Sequence, residues 1–182
     1  TGVGGQLGIQ NDTAGTAGDI IVWGAQLNRG SVATDYVPTT TSASGAVVGP
    51  RSLAWSPHNL VLQSQTFQTS WTLANASVTV NAATAPDGTV TADAINEGAV
   101  AAADHYIWQS VAVISGAAYT FSVSVKPANR SWFAFSFPTA FTNAYAYYNV
   151  SSGTVGVTGA GVDATSMVSE GNGWYRIVLT AT

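Results

Sequence analysis

The chain has 182 residues, of which 46% are hydrophobic and only 8% are charged, whereas about 25% charged residues is usual for a soluble domain. A net charge of −4 with only five Lys and Arg residues argues against nucleic acid as a partner, because phosphate binding needs clustered cations. The absence of cysteine excludes disulfides, thiolate catalysis and Cys-bound metals. No run of about 18 apolar residues occurs, so no membrane span is expected.

The first 38 residues contain two strand-like runs, at 6–10 and 19–27, which are too few to bury a core alone. Residues 39–58 are rich in Thr, Ser and Gly, and Pro50 and Pro57 interrupt regular pairing there. We therefore predict a closing strand pair and arm at 1–38, a linker at 39–58 and a β-sandwich at 59–182. The strand pair needs a partner, either the sandwich of the same chain or that of a neighbour.

The segment 59–182 consists of short runs in which apolar and polar residues alternate, and none shows a helical period. In the clearest run, 118–126, Phe121 and Val123 point to one side and Ser122 and Ser124 to the other, which is typical of a half-buried antiparallel strand. Further strands are predicted at 59–62, 77–80, 88–95, 105–113, 131–137, 144–150 and 173–181. About a dozen short strands at this spacing indicate an all-β, antiparallel β-sandwich of the jelly-roll type.

Four different motifs follow one another along this segment. They are NLVLQS at 59–64, TAPDGT at 84–89, YTFSVSVK at 119–126 and GNGWYR at 171–176. In this order they resemble the carbohydrate-binding-module-like jelly-roll domains of tailed-phage virion proteins. The resemblance implies a structural component of a tail fibre, tail tip or capsid decoration in the virion. It also implies other virion subunits as partners, a homo-oligomer with a trimer favoured, and contact with host-surface polysaccharide.

The order of the motifs departs from that family at one point. Family members usually close with runs similar to IVWGAQL at 21–27 and DYVPTT at 35–40, but here both runs come first. We therefore expect a cut-out of a longer protein, or a permuted or strand-swapped domain. An open sandwich would expose unpaired strand edges, which closure within one chain or strand donation between subunits would remove. Both remain open at this point, as does a fragment of a tandem array.

Sugar-binding folds use exposed aromatic rings against the apolar faces of pyranoses. Five aromatic residues are out of phase with the apolar face of their own strands and are the predicted glycan contacts: Tyr106, Trp108, Trp132, Tyr145 and Tyr147. The alternative is that these rings pack under loops or in subunit contacts. Another five aromatic residues are predicted to be core: Trp23, Trp71, Tyr119, Phe121 and Trp174.

An enzyme is not expected. Asp104 and His105 are adjacent on a predicted strand and therefore point to opposite faces, and no Gly-x-Ser-x-Gly elbow is present. The only glutamates, Glu97 and Glu170, are predicted in loops with no sign of the spacing that a glycosidase pair requires.

No cofactor is predicted. A structural calcium is an alternative without a supporting motif, for which the acids would be Asp19, Asp35 and Asp104. The second candidate function is a carbohydrate-binding module of a secreted bacterial polysaccharide-degrading enzyme or adhesin.

Overall fold

The computed structural model describes residues 3–11, 19–41, 58–99, 103–137 and 139–182, with the backbone alone for 3–11. These ranges contain twelve strands and no helix, and therefore no helix that could cross a membrane. In chain order the strands are β1 (Val3–Asn11), β2 (Asp19–Arg29), β3 (Thr72–Ala74), β4 (Ala76–Ala83), β5 (Ala92–Glu97), β6 (His105–Val113), β7 (Tyr119–Pro127), β8 (Trp132–Ser136), β9 (Tyr145–Asn149), β10 (Thr154–Thr158), β11 (Ala164–Gly171) and β12 (Trp174–Ala181).

The strands form two six-stranded sheets. Sheet A has the order β10-β9-β8-β1-β6-β3, and sheet B has the order β11-β12-β7-β2-β5-β4. Every strand pairing within them is antiparallel. The all-β, antiparallel fold expected from the alternation is therefore confirmed, while the assignment to the jelly-roll type stays a prediction.

The two N-terminal strands occupy inner positions of both sheets. β1 lies between β8 and β6 in sheet A, and β2 lies between β7 and β5 in sheet B. These pairings join residues of one chain, from Val3 opposite Val113 to Asn11 opposite His105 on the β6 side of β1. The boundaries at 38 and 58 stay predictions, and residues 42–57 of the linker lie outside the described ranges.

The main core lies between the two sheets. Phe121 of sheet B and Phe135 of sheet A have ring centroids 4.5 Å apart, and Phe133 packs edge-on against Phe135. All three side chains are fully buried, and burying one such ring stabilises the fold by about 1.5–3 kcal/mol. The five aromatic residues predicted to be core are all buried, so this prediction is confirmed: Trp23, Trp71, Tyr119, Phe121 and Trp174.

Three local predictions are wrong. Glu97 and Glu170, predicted in loops, lie in strands β5 and β11. Strand β7 is buried on both faces rather than one, because Ser122 and Ser124 also lie at 0% exposure under the Arg176 side chain and the arm. The strand predicted at 59–62 is reduced to a single bridge at Asn59. The Asn59 carboxamide replaces the ladder there by hydrogen bonding to four backbone groups.

Candidate functional site

All five predicted glycan contacts lie on the outer face of sheet A. On β6, Ile107 is buried between Tyr106 and Trp108, which are both partly exposed. On β9, Tyr148 is buried while its neighbour Tyr147 is 36% exposed. Two further rings lie on the same face: Tyr145 on β9 is partly exposed, and Trp132 on β8 is exposed. The strand alternation thus places the rings as the sequence predicts, and their contact with a ligand stays a prediction.

The strand register brings these rings into a row that runs across the sheet. Tyr145 on β9 is opposite Ser136 on β8. Ser136 is opposite Gly8 on β1, and Gly8 is opposite Trp108 on β6. Two small residues therefore lie between a Tyr and a Trp.

A second row follows two residues along the strands. Tyr147 is opposite Ala134, which is opposite Gln10, and Gln10 is opposite Tyr106. Neighbouring strands are about 4.8 Å apart, so the three steps from β9 to β6 separate the aromatic strands by about 14 Å. We call this arrangement the groove. Its walls are the aromatic residues of β9 and β6, and its floor is the residues of β8 and β1 between them, Ala134, Ser136, Gly8 and Gln10.

Two glycines allow close packing of the Trp132 and Tyr145 rings against the backbone. A Cβ added at Gly156 would lie 2.7 Å from Cζ3 of Trp132, and one added at Gly159 would lie 2.8 Å from Cδ1 of Tyr145. The Trp132 and Tyr145 rings therefore rest on glycine backbone. Gly156 and Gly159 were missed in the sequence, although a glycine inside a strand pattern often marks a close approach of this kind.

The rings on β9 are not coplanar. Tyr145 and Tyr147 have centroids 5.9 Å apart and ring planes at 82° to each other. Trp132, on the neighbouring strand, is 37% exposed. The two tyrosine rings on this side therefore do not present parallel faces.

Sheet A is uncharged. Its six strands contain no Asp, Glu, Lys or Arg. The histidine of β6, His105, is buried, and its Nδ1 lies 2.7 Å from the Asn75 carbonyl oxygen. A ligand on this face would therefore meet aromatic rings, hydroxyl groups and amides, with no fixed charge in the strands.

Two acidic side chains of sheet B, Glu97 and Asp93, are held in structural contacts. The Arg130 guanidinium forms a 2.6 Å ion pair with the Glu97 carboxylate, whose side chain is 2% exposed. The Asp93 carboxylate accepts hydrogen bonds from the backbone N–H groups of Phe67 and Asn81, and burial raises the pKa of Asp93.

Arg176 is largely enclosed on the outer face of sheet B. Its guanidinium donates to the Gly24 carbonyl oxygen at 2.9 Å and to the Ser122 hydroxyl at 2.7 Å. The Tyr36 ring covers it at 5.6 Å. Burial lowers the pKa of Arg176. The arm residue Tyr36 and this arginine together cover the central strands of sheet B, a packing role that the sequence did not reveal.

Catalytic and metal-binding arrangements find little support in the described ranges. Glu97 on β5 and Glu170 on β11 are separated by four strand steps, about 19 Å, which is far beyond the roughly 5–9.5 Å of glycosidase pairs. Within those ranges no group of three or more His, Asp or Glu side chains could hold a metal ion, and Asp19, Asp35 and Asp104 form no such group. His105 is buried while its neighbour Asp104 is exposed, so the two point apart.

Comparison with known proteins gives no match. No protein-family model, no curated protein and no solved structure matches the chain. The resemblance to carbohydrate-binding-like phage domains therefore stays a prediction from the sequence motifs.

Proposed function

We propose that this chain is a non-enzymatic structural domain of a tailed-phage virion protein, located in a tail fibre, tail tip or capsid decoration. Its outer sheet A face contacts glycans of the host surface. The observation that carries the proposal is the groove formed by two register rows, in which aromatic residues on β9 and β6 flank Ser136 and Gly8 in one row and Ala134 and Gln10 in the other.

The two outer faces of the sandwich support this choice. The arm covers the central strands β2 and β7 on the outer face of sheet B, through the contacts of Tyr36 and of Gln26 with Thr34. The outer face of sheet A keeps Trp132 and Tyr147 more than one third exposed. Because a contiguous exposed apolar surface usually marks an interaction site, the outer face of sheet A is a better candidate for a binding surface than the outer face of sheet B.

The absence of charge on sheet A selects the class of glycan. Acidic polysaccharides are normally held by Lys or Arg, and the strands of sheet A contain neither. Neutral pyranoses instead offer C–H faces to rings and hydroxyl groups to amides. We therefore assign a neutral glycan to the groove. Many weak sites on one particle suffice for attachment, since multivalency multiplies millimolar contacts.

The test is binding to a glycan array and to intact bacteria. Trp108→Ala and Tyr145→Ala each remove one ring from one wall of the groove. Each substitution is expected to weaken binding about five- to tenfold, corresponding to about 1 kcal/mol. Ile114→Ala is the matched control, because Ile114 is 56% exposed and lies outside sheet A. Binding should change little between about 0.05 and 1 M salt, since no ion pair is involved.

The outcomes distinguish three interpretations of the aromatic face: a site for a neutral glycan, a different or nonspecific binding surface, and a packing surface between subunits. Saturable binding to a neutral glycan that both wall variants lose supports the proposal. Binding confined to a charged glycan, or equal effects of Ile114→Ala and Trp108→Ala, contradicts it. No binding by the folded protein also contradicts it and leaves the rings as packing surfaces between subunits.

The second candidate is a carbohydrate-binding module of a secreted bacterial enzyme or adhesin. The observation in its favour is the same uncovered aromatic face, which an isolated module needs and which an assembly subunit could bury. Binding to free plant or microbial polysaccharide without binding to whole bacterial cells would favour this second candidate.

A further inference from the structure

Sheet B ends on one side at β11, whose outer backbone edge has no partner among the described strands. β11 keeps an unbroken register with β12 over the six residues from Ala164 to Ser169. By contrast, β4 loses its register after Thr79, β10 loses its register after Val155, and β3 has only three residues. β11 therefore provides the longest regular free edge in the described part of the chain.

Most of this edge lacks the usual protection. Exposed edges are normally guarded by Lys, Pro or bulges. The six regular residues, ATSMVS, include no charge, proline or glycine, and the bulge and Glu170 come only after Ser169. Val168 on this edge is 58% exposed, and Val155 and Val157 of the adjoining β10 are 39% and 68% exposed. Free backbone N–H and C=O groups beside apolar side chains fit another β-strand as partner.

We propose that two copies of this chain pair antiparallel through β11, with the two-fold axis at Ser166. In this register Val168 of each copy lies opposite Ala164 of the other, and Met167 lies opposite Thr165. Large side chains meet small ones on both faces of the sheet, and the two Ser166 hydroxyls meet at the axis. The two copies of sheet B then form one continuous sheet across the dimer.

The charges at the ends of β11 disfavour one neighbouring register, while the pairing of large with small side chains described above favours a second copy as the partner. Asp163 and Glu170 flank the regular residues. A register shifted by one residue places Asp163 of one copy opposite Glu170 of the other, and like charges directly opposite are destabilising. With the axis at Ser166, each acid faces an uncharged residue instead. The contact is two-fold and so differs from the trimer that the family resemblance implies.

Ser166→Cys tests this geometry directly, because the chain has no other cysteine. Residues directly opposite in an antiparallel pair have Cβ atoms roughly 4.5–5.5 Å apart, close enough for a disulfide after a small adjustment. Mild oxidation should link most of the Ser166→Cys protein into dimers on a non-reducing gel. Thr79→Cys, on the exposed opposite edge of the same sheet, is the matched control and should stay largely unlinked.

Sedimentation velocity supplies a non-covalent test. The unmodified protein should sediment as a dimer, and Ser166→Glu should weaken dimerisation at least tenfold because it places two carboxylates opposite each other. Ser166 is exposed on the edge, so the circular dichroism spectrum should be unchanged, and Thr79→Glu should remain dimeric. A monomer at all concentrations, an oligomer insensitive to Ser166→Glu, or equal cross-linking of Ser166→Cys and Thr79→Cys would overturn the proposal.

Discussion

The Asn59 carboxamide connects three separate segments of the chain. Its Oδ1 accepts hydrogen bonds from the backbone N–H groups of Leu27 and Val61, both at 3.1 Å. Its Nδ2 donates to the carbonyl oxygens of Ala25 at 3.0 Å and Val37 at 2.9 Å. Asn59 is fully buried, so no water replaces these bonds when the side chain is removed. We expect Asn59→Ala to be among the most damaging single substitutions in the chain.

The size of the effect follows from the four bonds. A net contribution of about 1 kcal/mol per hydrogen bond gives a loss of about 4 kcal/mol, and orphaned buried groups push it upwards. That is a large part of a typical total stability of about 5–15 kcal/mol. For a chain of this size it corresponds to a fall in Tm of about 8–16 °C.

Urea denaturation followed by tryptophan fluorescence measures this loss. Asn59→Asp keeps both acceptor contacts but turns the donating nitrogen into an oxygen facing two carbonyl oxygens, so it should be at least as damaging as Asn59→Ala. Asn96→Ala removes a partly exposed amide that donates to the Thr79 hydroxyl at 3.0 Å, and should cost under about 0.5 kcal/mol. A loss below about 1 kcal/mol for Asn59→Ala, or a stable Asn59→Asp protein, would refute the reasoning.

Three other sites give measurable consequences. Because burial raises the pKa of Asp93 above its unfolded value of 3.8, the folded state binds more protons in the interval between the two values. The stability of the protein relative to Asp93→Asn should therefore rise as pH falls from about 7 towards 4, and a flat difference in urea titrations contradicts this. Arg130→Met should lower the free energy of unfolding by about 3 kcal/mol, and by more than Glu97→Gln, because it removes the cation that faces the more deeply buried Glu97 carboxylate. Equal losses of stability in thermal unfolding would count against this prediction. Gly156→Ala should displace the Trp132 ring, which lies 2.7 Å from the added Cβ, and an unchanged near-ultraviolet circular dichroism spectrum would show that it does not.

Local alternation was enough to predict most of the strands and the faces of most of their side chains, but β3, β10 and β11 were not predicted. The run 105–113 coincides with β6. Trp108 lies on the other face of the strand from the buried Ile107, and this follows from the alternation alone. A strand has a side-chain period of two, so one buried residue determines the face of its neighbours. The prediction therefore succeeds where a single strand carries the information.

The rest depends on contacts between residues far apart in the sequence. Nothing within 145–147 shows that β9 and β6 are separated by β8 and β1, so the two walls of the groove could not be assembled from the sequence. Ser122 and Ser124 are typical of a solvent-facing side and are buried only because Arg176 and Tyr36 lie above them. Asn59 likewise shows no local sign that its amide would replace a strand ladder. Tertiary hydrogen bonding decided each of these cases.

The right angle between the Tyr145 and Tyr147 rings bears on the physical state of the glycan that we propose as the ligand. Adsorption to a crystalline polysaccharide needs several rings in one plane, so that all of them rest on an ordered surface at once. With ring planes at 82°, only one of these two tyrosines can lie flat on such a surface. We therefore expect the proposed ligand to be a single, solvated glycan chain, such as those that extend from a cell envelope, rather than an insoluble fibre.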